Sequence, residues 1–244
     1  MVPNGLRSPF MARTLIIVDG SEDAHDLWLA GQSIQRTLTH AYLPAPLVYG
    51  MARFELNWYQ VQYAQTLVLY LVGAAMSETD LAILERRVEE GMGLVVLHAS
   101  NVVGGSITDE GRFGRFFEMI GSRFTTHEEF GRFEVEVTQD HPVTQGITSF
   151  STDDEPYEFS WAGVPGEVLA VRKKASGETV PVVYVKEVGK GRVCYIALGH
   201  DQRGLGCAGF RRMLVQATMW TGHATRDTIR TYRASIWPPE DLDL

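Results

Sequence analysis

The sequence predicts an α/β protein with a doubly wound, mostly parallel sheet, and three short apolar runs carry that prediction. The runs are TLIIVD (14–19), TLVLYLVG (66–73) and GLVVL (93–97), and none of them alternates between apolar and polar residues. Continuous apolarity of this length is typical of central parallel strands that are covered on both faces. Helical patterns separate the runs, and strands that alternate with helices indicate right-handed crossovers within one sheet.

The segments between these runs carry the helix signals. Apolar residues at helical spacing predict a first helix over residues 27–40. Ser77 stands where an N-terminal cap belongs, and a second apolar face follows it until Gly91 can end the helix. Residues 44–64 carry no clear pattern.

Beyond residue 104 the pattern changes and favours antiparallel pairing. FEVEVT (133–138) alternates strictly, as a half-exposed strand does. Two apolar runs on either side of Gly-Lys-Gly (189–191) predict an antiparallel hairpin added to the sheet. The other elements predicted here are helices over 111–121 and 209–222 and strands over 167–173, over 180–188 and from 192 onward.

Length and composition indicate an ordinary globular protein. The chain has 244 residues, of which 45% are hydrophobic, and we expect one α/β domain over 13–225, a flexible tail over 1–12 and an irregular tail over 226–244. The 22 basic and 30 acidic residues give a net charge of −8, which argues against nucleic acid as a partner. No run approaches the roughly 20 apolar residues of a membrane helix. Cys194 and Cys207 form no Cys-x-x-Cys pattern, so a reducing, cytoplasmic setting is expected.

Two of the predicted strands lead directly into a histidine. GLVVLHAS ends its apolar run at His98, and RVCYIALGHD leads to His200. Because the carboxyl ends of parallel strands meet at one edge, where ligands of α/β proteins bind, we expect both imidazoles to face one crevice together with Asp19. Other segments that could reach this edge contain His25, His127 and Asp153-Asp154-Glu155.

A purely structural role stays open as the alternative for each of these histidines and aspartates. A histidine at a strand end commonly forms a hydrogen bond with a backbone group, and this is the alternative explanation of both His98 and His200. His141, in Asp-His-Pro, is expected to be a turn residue. His40 and His223 are expected at helix ends, where the C-terminal dipole favours positive charge. For Asp153 and Asp154 we expect a solvated acidic loop.

Five motifs follow one another in order over roughly residues 14–220. They are GLVVLHAS, TTHEEF, DHPVTQGI, DEPY (154–157) and VGKGRVCYIALGHD (188–201). Together they resemble the trehalose-utilisation (ThuA-like) family, whose fold is similar to class I glutamine amidotransferases and hence flavodoxin-like. The family's N-terminal His-Asp pair falls on His25-Asp26. The catalytic residues that the resemblance implies are His98, His127, Glu155 and His200, and the substrate-binding residues are His25, Tyr157 and Asp201, to which Asp19 is added by its position at a strand end.

The resemblance implies an amidotransferase-like fold without glutaminase activity. An amidotransferase carries a nucleophilic cysteine on the turn after its central strand. That turn holds His98 here, and no G-x-S-x-G motif replaces the cysteine. Hydrolysis through Ser100 would require a base within hydrogen-bond distance.

Two mechanisms stay open for the predicted site. In the first, His98, His127 and His200, with a nearby carboxylate, bind a divalent metal such as zinc that activates water or a sugar hydroxyl. In the second, the histidines and Glu155 act directly as general acid and base. Aromatic residues that could stack on a sugar ring are Trp58, Tyr157, Phe159 and Trp161, although core packing also explains them.

The family resemblance implies carbohydrate metabolism, with a trehalose-like disaccharide or a keto-sugar as the small-molecule partner. The reaction would be of hydrolase or isomerase type, and a separate sugar dehydrogenase would act alongside. No G-x-G-x-x-G follows a strand, so NAD is not expected as a cofactor. The alternative is a non-catalytic module that binds a carbohydrate or a partner protein. The sequence leaves the oligomeric state open.

Overall fold

A computed structural model of the chain describes residues 13–50, 58–73, 76–102 and 110–236. Its strands are β1 (Thr14–Gly20), β2 (Leu47–Tyr49), β3 (Thr66–Val72), β4 (Gly93–Leu97), β5 (Ser122–His127), β6 (Gly131–Val137), β7 (Phe150–Asp154), β8 (Tyr157–Trp161), β9 (Glu167–Lys173), β10 (Thr179–Val188) and β11 (Gly191–Ile196). Its helices are α1 (Leu27–His40), α2 (Trp58–Tyr63), α3 (Glu78–Glu90), α4 (Glu110–Ile120), α5 (Gln202–Gly206), α6 (Ala208–Thr221) and α7 (Arg226–Ile236). A short 3₁₀ turn, His98–Asn101, follows β4.

Nine strands form one mixed sheet in the order β2-β1-β3-β4-β11-β10-β9-β6-β7. The pairs from β2 to β11 are parallel, and the pairs from β11 to β7 are antiparallel. The predicted α/β class with a large sheet is confirmed. Parallel pairing covers only one half of the sheet, because β10 joins β11 through a tight turn at residues 189–190 that leaves no room for a crossover helix.

The parallel half forms the most deeply buried part of the core. The side chains of β3 are buried from Thr66 to Leu71, and those of β4 along its whole length, as continuous apolar runs predict. Helices α1 and α6 contact this half and each other, while α3 contacts β11 and α4. The predicted Ser77 cap is confirmed, since its hydroxyl accepts from the Asp80 N–H, and Gly91 ends α3 with a φ of 126°.

Strands β5 and β8 pair antiparallel outside the large sheet, with His127 opposite Tyr157. The two-residue connection Glu155-Pro156 links β7 of the large sheet to β8. This connection therefore brings the acidic segment of the sequence beside the ends of the parallel strands, where the site described below is formed.

The expected irregular tail over 226–244 is wrong for its first part, because Arg226–Ile236 form α7. Ile229 and Tyr232 lie three residues apart on the face that is buried, and the Tyr232 hydroxyl donates to the Ala41 carbonyl after α1. Few other apolar residues mark this helix in the sequence. The predicted tail over 1–12 and residues 237–244 lie outside the described residues. None of the described helices is long and apolar enough to cross a membrane.

Candidate functional site

Three histidines converge from the carboxyl ends of the parallel strands. His25 lies in the loop between β1 and α1, His98 follows β4, and His200 follows β11. His25 and His98 are buried, and His200 is partly exposed. This edge is where parallel sheets bind ligands, because the loops that leave the strands there are free to carry side chains.

The ring nitrogens of these histidines face one another. The Nε2 atom of His25 lies 3.0 Å from Nε2 of His98 and 3.2 Å from Nδ1 of His200. Glu155 reaches the same point from the β7–β8 connection, and its Oε2 atom lies 3.0 Å from His200 Nδ1 and 3.5 Å from His98 Nε2. One ligand atom from each of the four residues falls within 4.8 Å of the others. We call these four residues the His/Glu cluster.

His127 lies beside the cluster but on the far side of its carboxylate. Its Nδ1 atom is 3.3 Å from Oε1 of Glu155, the oxygen that the other histidines do not contact, and 2.9 Å from the Glu128 carbonyl. Its side chain is 42% exposed, whereas that of Glu155 is 12% exposed. The predicted metal set is His98, His127 and His200. The structure instead brings His25 together with His98 and His200, and within the cluster His127 contacts only the carboxylate of Glu155.

The backbone at His98 is held in an unusual conformation. Its φ is 46°, in the left-handed region that few residues other than glycine adopt. The His98 Nδ1 atom lies 2.9 Å from the Ala197 carbonyl, and the Tyr195 hydroxyl donates to the His98 carbonyl. The Tyr157 ring packs on the imidazole with 4.1 Å between centroids. Strained residues of this kind concentrate at functional sites, where the surrounding contacts fix them.

Burial and mutual proximity set the charges of the cluster. Burial, and secondarily the imidazoles of His98 and His200, lower the pKa of His25 from 6.5 to about 3. Burial alone would raise the pKa of Glu155, but hydrogen bonds with His200 and His98 outweigh it and hold that pKa well below its usual value. The hydrogen bond with Glu155 raises the pKa of His200. A neutral imidazole and a carboxylate anion thus coexist at neutral pH, as a cation-binding site requires.

Asp154 is a buried anchor of this site, contrary to the expected solvated loop. Its side chain is 0% exposed, and it accepts backbone N–H groups from Gly199 at 2.8 Å, His200 at 3.0 Å and Glu155 at 2.9 Å. One carboxylate therefore joins the loop that carries Glu155 to the loop that carries His200. Asp153, the next residue back along β7, is partly exposed, with Arg132 3.9 Å from its carboxylate.

Comparison with known proteins identifies the family. The family model described as "ThuA: Trehalose utilisation" matches residues 55–221. This chain belongs to the ThuA family. The predicted resemblance is confirmed, and the matched range includes three members of the His/Glu cluster but not His25. Comparison with curated protein sequences gives no match.

Solved structures share the fold at low sequence identity. A ThuA-like protein from Parabacteroides merdae is 18% identical with a TM-score of 0.70, and the match covers 87% of this chain and 90% of that one. A ThuA-like protein from Bacteroides uniformis is 17% identical with a TM-score of 0.65, covering 91% and 95%. A β-galactosidase from Bacillus circulans is 16% identical with a TM-score of 0.64, and the match covers 88% of this chain but 32% of the enzyme.

The other predicted residues of this ThuA-family chain have local roles. Asp201 caps α5, accepting from the Arg203 N–H at 2.7 Å and pairing with the Arg203 guanidinium at 2.6 Å. An oxygen of Asp19 accepts from the Gly20 N–H. Tyr157 lies at the site, with its ring centroid 4.1 Å from that of His98 and 5.8 Å from that of His127. Among the described residues, the group that could hold a metal contains neither aspartate.

Neither Ser100 nor Cys194 has the setting of a covalent nucleophile. The Ser100 hydroxyl is buried among backbone groups, donating to the Leu97 carbonyl at 2.5 Å and accepting from the Leu71 N–H at 2.8 Å. Cys194 is buried within β11, and burial raises the pKa of its thiol, which suppresses the reactive thiolate.

Sequence reasoning missed Tyr70 as part of the site. Its hydroxyl donates to the Gly199 carbonyl at 2.8 Å, and its ring centroid lies 6.3 Å from those of His25 and His98. The available signal was a phenol inside the otherwise apolar run TLVLYLVG, since a buried hydroxyl requires a partner. Of the aromatics considered for sugar stacking, Phe159 and Trp161 pack against the core, and the side chain of Trp58 lies outside the described residues.

Proposed function

We propose that this ThuA-family protein is a carbohydrate-processing enzyme, of hydrolase or isomerase type, whose His/Glu cluster binds a divalent metal such as zinc. The observation that carries the proposal is the convergence of three imidazole nitrogens and one carboxylate oxygen within 4.8 Å. Zinc sites of enzymes use this donor chemistry, with three or four protein ligands and an open position for water or substrate.

The spacing of the donor atoms supports one ion that contacts all four residues. Ligands that surround zinc at about 2.0–2.1 Å stand roughly 3.3 Å from one another along the edges of a tetrahedron. Four of the six pairs of donor atoms in the cluster are separated by 3.0, 3.2, 3.0 and 3.5 Å, close to this value, and the other two pairs lie within 4.8 Å. Three imidazoles and a carboxylate are also ligands that zinc accepts, whereas magnesium and calcium prefer an all-oxygen shell.

The surroundings of His98 support a ligand role for its Nε2 atom. When Nδ1 donates its proton to the Ala197 carbonyl, the neutral ring keeps a lone pair on Nε2, which points into the cluster. Backbone carbonyls commonly orient metal-binding histidines in this way. Glu155 provides the negative charge, because its pKa is held low by its histidine partners.

A bound metal would supply Lewis-acid activation of a water molecule or a sugar oxygen. Side chains of the site would accept the proton that the activated water or sugar hydroxyl releases. His127 contacts the outer oxygen of Glu155 and is partly exposed, so it can exchange a proton between the site and solvent. The Tyr157 ring packs against the imidazoles of His98 and His127, and it limits access of water to His98.

The family supports carbohydrate as the substrate class. The matched family model is described by trehalose utilisation, and we extend that description to a trehalose-like disaccharide or a keto-sugar. The strand order β2-β1-β3-β4-β11 supports a flavodoxin-like parallel half, in which such a ligand would lie across the strand ends. A structural neighbour from Salmonella typhimurium is named a cytoplasmic protein, which supports a cytoplasmic setting here. A separate sugar dehydrogenase as a functional partner is part of the proposal.

Metal analysis tests the proposal directly. Protein purified without a histidine tag should contain or bind one zinc per chain, measured by mass spectrometry of the metal and by titration. His25→Ala, His98→Ala and Glu155→Gln should each weaken zinc binding by about 100-fold or more. The matched control is His40→Ala, an exposed histidine in the last turn of α1, which should bind zinc as the wild type does.

Turnover separates the proposed enzyme from its alternatives. The metal-loaded protein should convert at least one member of a panel of disaccharides and keto-sugars, read by mass spectrometry of the products. Equal turnover by the metal-free protein would favour direct acid–base catalysis by the histidines. Sugar binding without turnover would favour the non-catalytic binding module.

A further inference from the structure

A stacked pair of aromatic side chains lies at the same edge of the sheet as the His/Glu cluster. Trp28, in the first turn of α1, stacks on Tyr49, the last residue of β2, with 5.2 Å between ring centroids and 15° between ring planes. Trp28 is nevertheless 64% exposed. One face of the indole is therefore covered by the phenol, and much of the remaining surface is open.

Three features of the structure around the start of α1 hold this pair in place. The Tyr49 hydroxyl donates to the Trp28 carbonyl at 3.1 Å. Gly31, one turn further along α1, leaves room for the phenol, since a Cβ atom there would lie 2.7 Å from the Tyr49 hydroxyl. Asp26 caps the helix by accepting from the Leu29 N–H. The phenol and the start of α1 are thus held in place, and the stack on the phenol orients the indole for a ligand.

The pair lies within reach of the cluster. Trp28 follows His25 by three residues, which span at most roughly 10 Å of chain. Tyr49 ends the strand beside β1, and the cluster lies above the ends of β3 and β4. Two to three strand spacings, roughly 10–14 Å, separate these positions along the edge. A molecule longer than one sugar ring can therefore contact both.

The part of the β1–α1 loop that leads into His25 is polar. Ser21, Glu22 and Asp23 are exposed, and the Ser21 hydroxyl donates to the Asp23 carboxylate at 2.6 Å. A pyranose ring has an apolar C–H face that stacks on an aromatic ring and a rim of hydroxyls that bonds to carboxylates and hydroxyls. An aromatic face with a few polar neighbours is the usual composition of a small-molecule site.

We propose that the Trp28–Tyr49 pair is a second sugar subsite, which binds the ring next to the one that reacts at the His/Glu cluster. This inference rests on the proposed carbohydrate function. It makes the substrate a disaccharide or longer glycan and not a monosaccharide, because only a second ring engages the indole.

Binding measurements with two sugars of different length test the subsite. The probes are trehalose, with two glucose rings, and glucose, and the dissociation constants are measured by ligand-observed NMR titration. Trp28→Ala should weaken trehalose binding by about tenfold and change glucose binding less than twofold. Trp28→Phe, which keeps an aromatic face, should restore most of the loss.

A matched control removes an equally exposed aromatic from the opposite edge. Tyr42 is 57% exposed and follows the C-terminal end of α1. Tyr42→Ala should bind both sugars as the wild type does.

The possible results separate this inference from the proposed function. Trehalose binding that is unchanged in Trp28→Ala overturns the subsite and leaves the proposed function standing. Equal weakening of glucose and trehalose also overturns it, because Trp28 would then contact the first ring. A wild type that binds zinc but neither sugar contradicts the carbohydrate function and the subsite together.

Discussion

The seven histidines of the chain are divided between the two edges of the parallel strands. At the carboxyl edge, the ring nitrogens of His25, His98 and His200 face one another. At the amino edge, two rings bond to the backbone: His223 donates to the Gly91 carbonyl at 2.8 Å, and His141 accepts from the Val143 N–H at 3.1 Å. The rings of His141 and His223 therefore stabilise local backbone structure, whereas the ring nitrogens that face one another at the carboxyl edge can bind a ligand.

The two edges also differ in how their loops are held together. The carboxyl edge depends on Asp154, a buried carboxylate that accepts three backbone N–H groups from two loops. At the amino edge the bonds that hold His141 and His223 each involve one backbone group. Changes at the carboxyl edge should therefore disturb several parts of the site at once, and changes at the amino edge should remain local.

The largest expected effect is that of Asp154→Ala. Its removal leaves three N–H groups, one buried and two partly buried, without their acceptor, and we expect the free energy of unfolding to fall by about 3 kcal/mol or more. Urea denaturation measures this change. Asp153→Ala is the matched control on the same strand, and its change should stay within about 0.5 kcal/mol. Equal losses in the two variants would contradict the anchoring role of Asp154.

A substitution at Gly204, which packs against the Asp154 carboxylate, also tests the anchoring role of Asp154. A Cβ atom at Gly204 would lie 2.1 Å from Oδ2 of Asp154, so Gly204→Ala should displace the carboxylate and cost about 1–2 kcal/mol of stability. Gly206, at the end of the same helix, has no atom within 4 Å of that position, and Gly206→Ala should be neutral or slightly stabilising. Gly204→Ala should therefore lower the thermal unfolding midpoint, and Gly206→Ala should leave it unchanged or raise it slightly. An unchanged midpoint in Gly204→Ala would contradict the tight packing at Gly204.

The smallest effect concerns His141 at the amino edge. Burial, followed by the nearby Arg226 and Arg192, lowers the pKa of His141 from 6.5 to about 4. The unfolded chain then binds more protons than the folded one between these values, so stability falls as the pH falls from about 6.5 to about 4. His141→Asn cannot titrate and can still accept the Val143 N–H, as asparagine does in turns. Over this pH range we expect the free energy of unfolding of the variant to fall by about 1 kcal/mol less than that of the wild type.

Denaturation series at several pH values measure the His141 effect. The burial of His25 adds a loss of the same sign to both proteins, so the difference between wild type and variant isolates His141. Parallel curves of stability against pH would contradict this account of the amino edge.

Sequence patterns predicted those parts of the molecule that depend on local periodicity. The apolar runs of β1, β3 and β4 and the Ser77 cap of α3 are recognisable because continuous burial and helix capping each leave a local signature. The helix α7 was missed, because two buried residues, Ile229 and Tyr232, carry most of its contact with the body.

The membership of the site depends on loop paths and could be predicted only in part. The motifs indicated His98, Glu155 and His200, which the structure brings together. They did not indicate that His25, and not His127, completes the group, because this depends on where the β1–α1 loop crosses the strand ends. The burial of Asp154 was equally hidden, since an aspartate beside two acidic residues has the composition of a solvated loop whether or not backbone N–H groups surround it.

The comparison between the edges is tested most directly by the coordination of zinc in the full-length protein. X-ray absorption at the zinc edge, on protein loaded with one equivalent of zinc, should show nitrogen and oxygen neighbours at about 2.0–2.2 Å and the outer-shell scattering of three imidazoles. His25→Ala should reduce that scattering to two imidazoles, while His223→Ala, at the amino edge, should leave it unchanged. A zinc ion coordinated by water and carboxylates without imidazole, or a spectrum that His25→Ala does not change, would contradict the account.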